Sequence, residues 1–199
     1  MSMVKKMIKP VGRNLRDLLL ILGVGPKLNE QDRRILESKV FPYLIERDDI
    51  RRVLDVGCHW YTWHYQTIFQ GKEYHTIEID PARKRYGAKS HVIDSIENID
   101  TYFAADRFDL VMLNGVIGWG LNDEGVANAA VEKIRQCLRP GGILTIGWDD
   151  VADHRPFDIE AMSSLQGFEP FIMPPLNTSR YFCDESVLRH TINFYQVVK

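Results

Sequence analysis

Apolar residues along this chain change period more than once, and each change predicts a different kind of element. After Asn29, with Glu30 and Asp32 placed for a first helical turn, Ile35, Leu36, Val40, Phe41, Leu44 and Ile45 recur at helical spacing. This predicts an amphipathic helix capped by Asn29, which Pro42 should kink or divide. From Arg51 the pattern alternates between short apolar runs and helical ones. Strands are predicted at 53–56, 74–79, 91–93, 108–113 and 143–148, with helices at 62–70, closed by Gly71, and at 122–138. Arg139-Pro140-Gly141-Gly142 turns the longest helix into the fifth strand. Such alternation means parallel strands joined by right-handed crossovers.

Beyond residue 150 the pattern changes again. Pro156 opens a helix to about Leu165, residues 168–173 read as a strand, and 191–198 as the final strand. Two late strands with no long helix between them predict an antiparallel pair at the sheet edge. The expected fold is α/β, a doubly wound, mostly parallel seven-stranded sheet with an antiparallel last strand and helices on both faces. One domain over 1–199 is expected. It divides into a helical extension at 1–48, a core at 49–150 that holds the ligand, and a part at 151–199 that completes the sheet and the substrate side.

Charge and cysteine content narrow the function. A formal charge of −2 gives no global electrostatic footprint for nucleic acid, so none is expected as a partner. Cys58, Cys137 and Cys183 are odd in number and form no C-x-x-C pair, which argues against a disulfide framework and a zinc site and predicts no metal. A cytoplasmic location fits best. Residues 1–27 alternate basic and apolar positions, with a helix predicted at about 14–22. That helix either packs its leucines on the domain or lies on an anionic membrane surface. It is not read as a signal peptide, because Asp17 interrupts its flank and no cleavage site follows closely.

Polar residues mark the strand ends, which in a parallel sheet face one crevice. They are Asp55 with Gly57, Glu78, Asp94 and Asn114. Glu78 lies about 20 residues beyond Gly57, the separation at which an acidic side chain accepts both hydroxyls of a ribose. Asp94 can accept from an exocyclic amine, as adenine recognition requires.

With these residues in place the chain resembles the class I S-adenosylmethionine-dependent methyltransferases. The resemblance is carried by V-L-D-V-G-C at 53–58, I-E-I-D-P at 77–81, V-I-D-S at 92–95, F-D-L-V-M-L-N-G at 108–115 and L-R-P-G-G-I-L at 138–144. It implies S-adenosylmethionine as cofactor, with Asp55, Gly57, Cys58 and His59 lining its methionine end. It also implies Glu78 on the ribose, Asp94 and Ser95 at the adenine, and Asn114 beneath the sulfonium. Asp80 is a poorer ribose candidate. The departure is the loop: where the family has D-x-G-x-G-x-G, this chain has His59 and Tyr61 in place of the last two glycines. These side chains either narrow the methionine pocket or swing to the substrate side. Trp60, Trp63, His64 and Tyr65 make the region aromatic, as a stacking surface or as packing for the first helix.

Methyl transfer needs positioning above all, and a hydroxyl acceptor also needs a base. His154 and Asp149 are the catalytic candidates by location after the fifth strand, with Asp150 and His59 as further options. The leading expectation is a methyltransferase acting on a small-molecule or sugar acceptor. The alternative is a catalytically inactive relative serving as an interaction module. A nicotinamide oxidoreductase is disfavoured, since no G-x-G-x-x-G follows the first strand.

Overall fold

A computed structural model describes residues 25 and 27–198 of the chain. The expectations for an N-terminal helix and for membrane contact through residues 1–27 lie almost wholly outside the described residues. The first described helix, α1 (Gln31–Ile35), runs through a π-helical turn (Leu36–Val40) into α2 (Phe41–Glu46). Its cap is Glu30, with no side-chain hydrogen bond, so Asn29 does not play the expected role. Pro42 does not end the helix. The wider turn just before it, where the Phe41 amide donates to the Leu36 carbonyl, carries the chain past a residue with no amide hydrogen.

Five parallel strands follow: β1 (Arg52–Val56), β2 (Glu73–Ile77), β3 (Ser90–Val92), β4 (Phe108–Asn114) and β5 (Leu138–Asp149). Between them stand α3 (Tyr65–Ile68), α4 (Ile99–Tyr102) and the longest described helix, α5 (Glu124–Cys137). The α5 cap is Asp123, whose side chain accepts from the Val126 amide at 2.9 Å. The predicted Arg139–Gly142 turn is a bulge inside β5: Leu138 pairs with Phe108, Ile143 pairs with Leu110, and Gly141 takes φ +73°.

Among the described residues the sheet has eight strands, one more than expected. Its order is β3-β2-β1-β4-β5-β8-β6, where β6 is Phe168–Pro170 and β8 is His190–Val197. The additional strand, β7 (Arg180–Phe182), pairs with β8 beyond the reach of β6. β8 runs antiparallel to β5, as predicted for the last strand. The expected helix at 156–165 is instead two 3-10 turns, Ile159–Ala161 and Ser163–Gly167. Ile159, Met162 and Leu165 are all buried, and a three-residue period suits the three-residue turn.

Alternation along the strands divides the core in two. Leu54, Val111, Leu113, Leu144 and Ile146 pack against α5 on one face. Val53, Leu110, Met112, Ile143 and Phe194 pack against Leu36, Phe41 and Leu44 on the other. Helices thus cover both faces, and the carboxyl ends of β1, β2, β4 and β5 come together at one edge.

The Arg51-Arg52 pair sits at the opposite edge. There the Asp109 carboxylate accepts from the Arg51 and Arg52 amides and from Arg139 Nε. A cleft of about 670 Å³ opens beside them, but its arginines, 51, 52 and 139, are matched by Asp49, Glu73 and Asp109. It is a charge-balanced cleft at the edge opposite the carboxyl strand ends, in which Arg52 and Arg139 pair with Asp109 and Arg139 also with Asp49.

Candidate functional site

The β1–α3 turn begins at Gly57, whose φ of +87° only glycine adopts freely, and a Cβ there would meet Val116 at 3.3 Å. It bounds a cavity of about 40 Å³ lined by Arg33, Asp55, Gly57, Cys58, Tyr61 and Asn114, among others. Four of the predicted residues, Asp55, Gly57, Cys58 and Asn114, therefore share one wall, and His59 joins them. Trp63 and Tyr65 are buried packing residues, whereas Trp60 and Tyr61 stay half-buried.

Asp55 is 4% exposed and accepts a hydrogen bond from the Tyr74 hydroxyl at 2.8 Å. Burial pushes its carboxyl up to about 7, against the opposing pull of Tyr74 and of the Arg33 charge. Burial also pushes the Cys58 thiol well up, so it is no thiolate nucleophile. Glu78 is buried just beyond β2, with one oxygen accepting from the Cys58 amide at 2.8 Å and the other from the Asp80 amide at 2.9 Å. Arg83 stands 3.6 Å away. Each oxygen retains a lone pair. Ile79 and Ile93, just beyond β2 and β3, are 68% and 41% exposed.

Asp94 and Ser95 are placed differently. Asp94 accepts from the Ser95 amide, from Asn98 and from the Tyr102 hydroxyl at 2.6 Å, while Ser95 caps the turn that follows. Neither lines the cavity. Asp80 caps its own turn through the Ala82 amide.

Sequence reasoning missed two residues. Arg33, from α1, is buried against Tyr61, with its guanidinium 4.9 Å from the ring centre, and donates to the Tyr65 hydroxyl. His190, the first residue of β8, lies opposite Asp149 in the β5–β8 register. Its Nδ1 is 2.7 Å from Asp149 Oδ1, and both residues are 5% exposed. The other Asp149 oxygen accepts from Trp119 Nε1 at 2.8 Å. Burial pushes Asp149 up, but His190 and Trp119 outweigh it and hold the carboxyl below the usual range. His154, the other predicted catalytic residue, stacks on Trp119 with ring centres 4.0 Å apart and planes within 13°. Asp150 is engaged by Arg155 at 2.9 Å.

The sequence matches no protein-family model and no curated protein. Solved structures with the same architecture are many. The N-methyltransferase NodS from Bradyrhizobium japonicum WM9, in complex with S-adenosylhomocysteine, superposes with a TM-score of 0.64 at 15% identity, over 86% of this chain and 90% of that one. A Burkholderia thailandensis 1,6-didemethyltoxoflavin-N1-methyltransferase, with that compound and S-adenosylhomocysteine bound, gives 0.59 at 16%, over 86% and 80%. A TehB-like methyltransferase from Corynebacterium glutamicum gives 0.57 at 16%, over 84% and 95%. The chain has the class I S-adenosylmethionine-dependent methyltransferase fold. At such identities the likeness establishes the fold, and function rests on the site.

Proposed function

We propose that the chain is an S-adenosylmethionine-dependent methyltransferase acting on a small-molecule or glycan-type acceptor, with in-line transfer to oxygen or nitrogen. The observation that carries this reading is the position of Glu78, buried at the end of β2 and tied to the turn that begins at Gly57. Its remaining lone pairs suit a ribose diol, and a carboxylate there repels a 2′-phosphate. The exposed Ile79 and Ile93 offer apolar cover to a planar base. Asp55 suits the ammonium and Arg33 the carboxylate of an amino-acid tail.

The donor set therefore fits the cofactor. The volume is tighter, because about 40 Å³ is far below the roughly 300 Å³ of the smallest usual ligand pockets, and the His59 and Tyr61 side chains must move aside. When bound, the cofactor supplies a methyl group on a positively charged sulfur. This chain's residues have to hold it in line and exclude water.

The same narrowness favours the second reading, an inactive relative that binds partners without the cofactor. Calorimetry with S-adenosylhomocysteine separates the two. The expected result is binding in the folded protein, weakened about 10- to 100-fold in Glu78→Gln, the scale of a charge-assisted hydrogen bond. Absence of binding would remove the methyltransferase reading.

A further inference from the structure

Among the described residues, two buried polar atoms converge beside the cavity without a hydrogen-bond partner. They are His190 Nε2 and Asn114 Oδ1. A Cβ built on Gly147 would stand 2.9 Å from the first and 2.6 Å from the second, so only glycine at this position in β5 lets them approach one another across the strand. Asn114 also lines the cavity of the β1 turn. The far side of the imidazole is fixed by Asp149, and Asp149 in turn is fixed by Trp119, which is 56% exposed and stacked on His154. One carboxylate thus links a buried ring nitrogen to an exposed aromatic platform.

We propose that this constellation is the acceptor site, that the acceptor is a planar hydroxyl compound such as a phenol or an enol, and that His190 takes its proton. The inference rests on the methyltransferase reading above. Asp149 accepts the Nδ1 hydrogen, which leaves the Nε2 lone pair free to act as base, so Asp149 is a positioning residue and His190 the catalytic one. Trp119 and His154 carry the ring of the acceptor. The acceptor oxygen loses its proton to His190 Nε2 and forms the new bond to the methyl carbon, while the electron pair of the broken carbon–sulfur bond stays on sulfur. The imidazolium left behind lies between Asp149 and Asp32, whose Oδ2 is 4.0 Å from Nε2, and then returns its proton to water. Asp32 is itself paired with Arg33, and the buried Cys183 thiol, whose amide donates to the His190 carbonyl, completes the surroundings. An amine acceptor that arrives neutral would have little use for such a base, and the dyad therefore argues for oxygen.

The probe is 4-nitrophenol, whose absorbance distinguishes phenol from phenolate, titrated into protein saturated with S-adenosylhomocysteine at a pH below the probe's own ionisation. The expected result is a bound probe with phenolate absorbance. In His190→Gln the probe should still bind within about threefold, and the phenolate band should be lost. Asp149→Asn should weaken that band with His190 still present. Trp119→Ala should weaken probe binding about tenfold or more. Calorimetry with S-adenosylhomocysteine on the same preparations reports that each variant is folded. If S-adenosylhomocysteine binds but the probe does not, or if His190→Gln leaves the phenolate band unchanged, the acceptor site is wrongly drawn and the methyltransferase reading survives. If S-adenosylhomocysteine itself fails to bind the wild-type protein, both are overturned.

Discussion

Asp55 is a carboxylate with one hydroxyl donor and almost no solvent. Its unfolded counterpart ionises near 3.8, whereas burial holds the folded group up to about 7. The native chain therefore keeps a proton that the unfolded chain has released, and the stability this provides is complete below about pH 4 and lost as pH rises through about 7. Asp55→Asn, neutral throughout, should flatten that slope and be more stable than the wild type near pH 8 by up to about 4 kcal/mol, measured by urea unfolding at two pH values. Asp55 was legible in the sequence because strand-end polarity is a local signal. His190 was not, because it stands far along the chain from Asp149 and only the antiparallel register brings them together. Arg33 was hidden for a related reason: a basic residue in a helix full of charges reads as surface until Tyr61 and Tyr65 close over it.

On the proposed function, the turn after β1 decides whether the cofactor can enter. His59 and Tyr61 stack on one another, with ring centres 4.8 Å apart, and Arg33 lies against the second ring. Tyr61→Gly should open room in the cavity beside Gly57 and tighten S-adenosylhomocysteine binding roughly tenfold, the scale of relieving one overpacked side chain. Weaker binding, read by calorimetry, would mean that the ring supports the cofactor instead of obstructing it. The parallel strands and α5 were readable because their periodicity is sustained. At 156–165 the punctuation by Pro156 and Gly167 fits one helix, but the buried Ile159, Met162 and Leu165 recur every third residue and suit the 3-10 turns that form. β7 (Arg180–Phe182) is not marked in the sequence because polar residues flank it on both sides, Asn177-Thr178-Ser179 before and Asp184-Glu185-Ser186 after.

At the scale of the whole molecule, β8 holds the second half together. It pairs with β5 along one side and with β6 and β7 along the other, and it contributes Phe194 to the second core. Phe194→Ala should cost about 3–5 kcal/mol and lower the urea midpoint in one cooperative transition. The layered architecture and the parallel core were predictable as a whole, while the arrangement of strands beyond β5 depended on pairings between distant segments. That placement has a consequence for how the chain is made. Until residues 190–197 leave the ribosome, β5 presents an open edge at which a neighbouring nascent chain can pair. Asp149 waits on that same edge without its histidine, so the proposed acceptor site and the protection of the sheet are completed together when β8 docks.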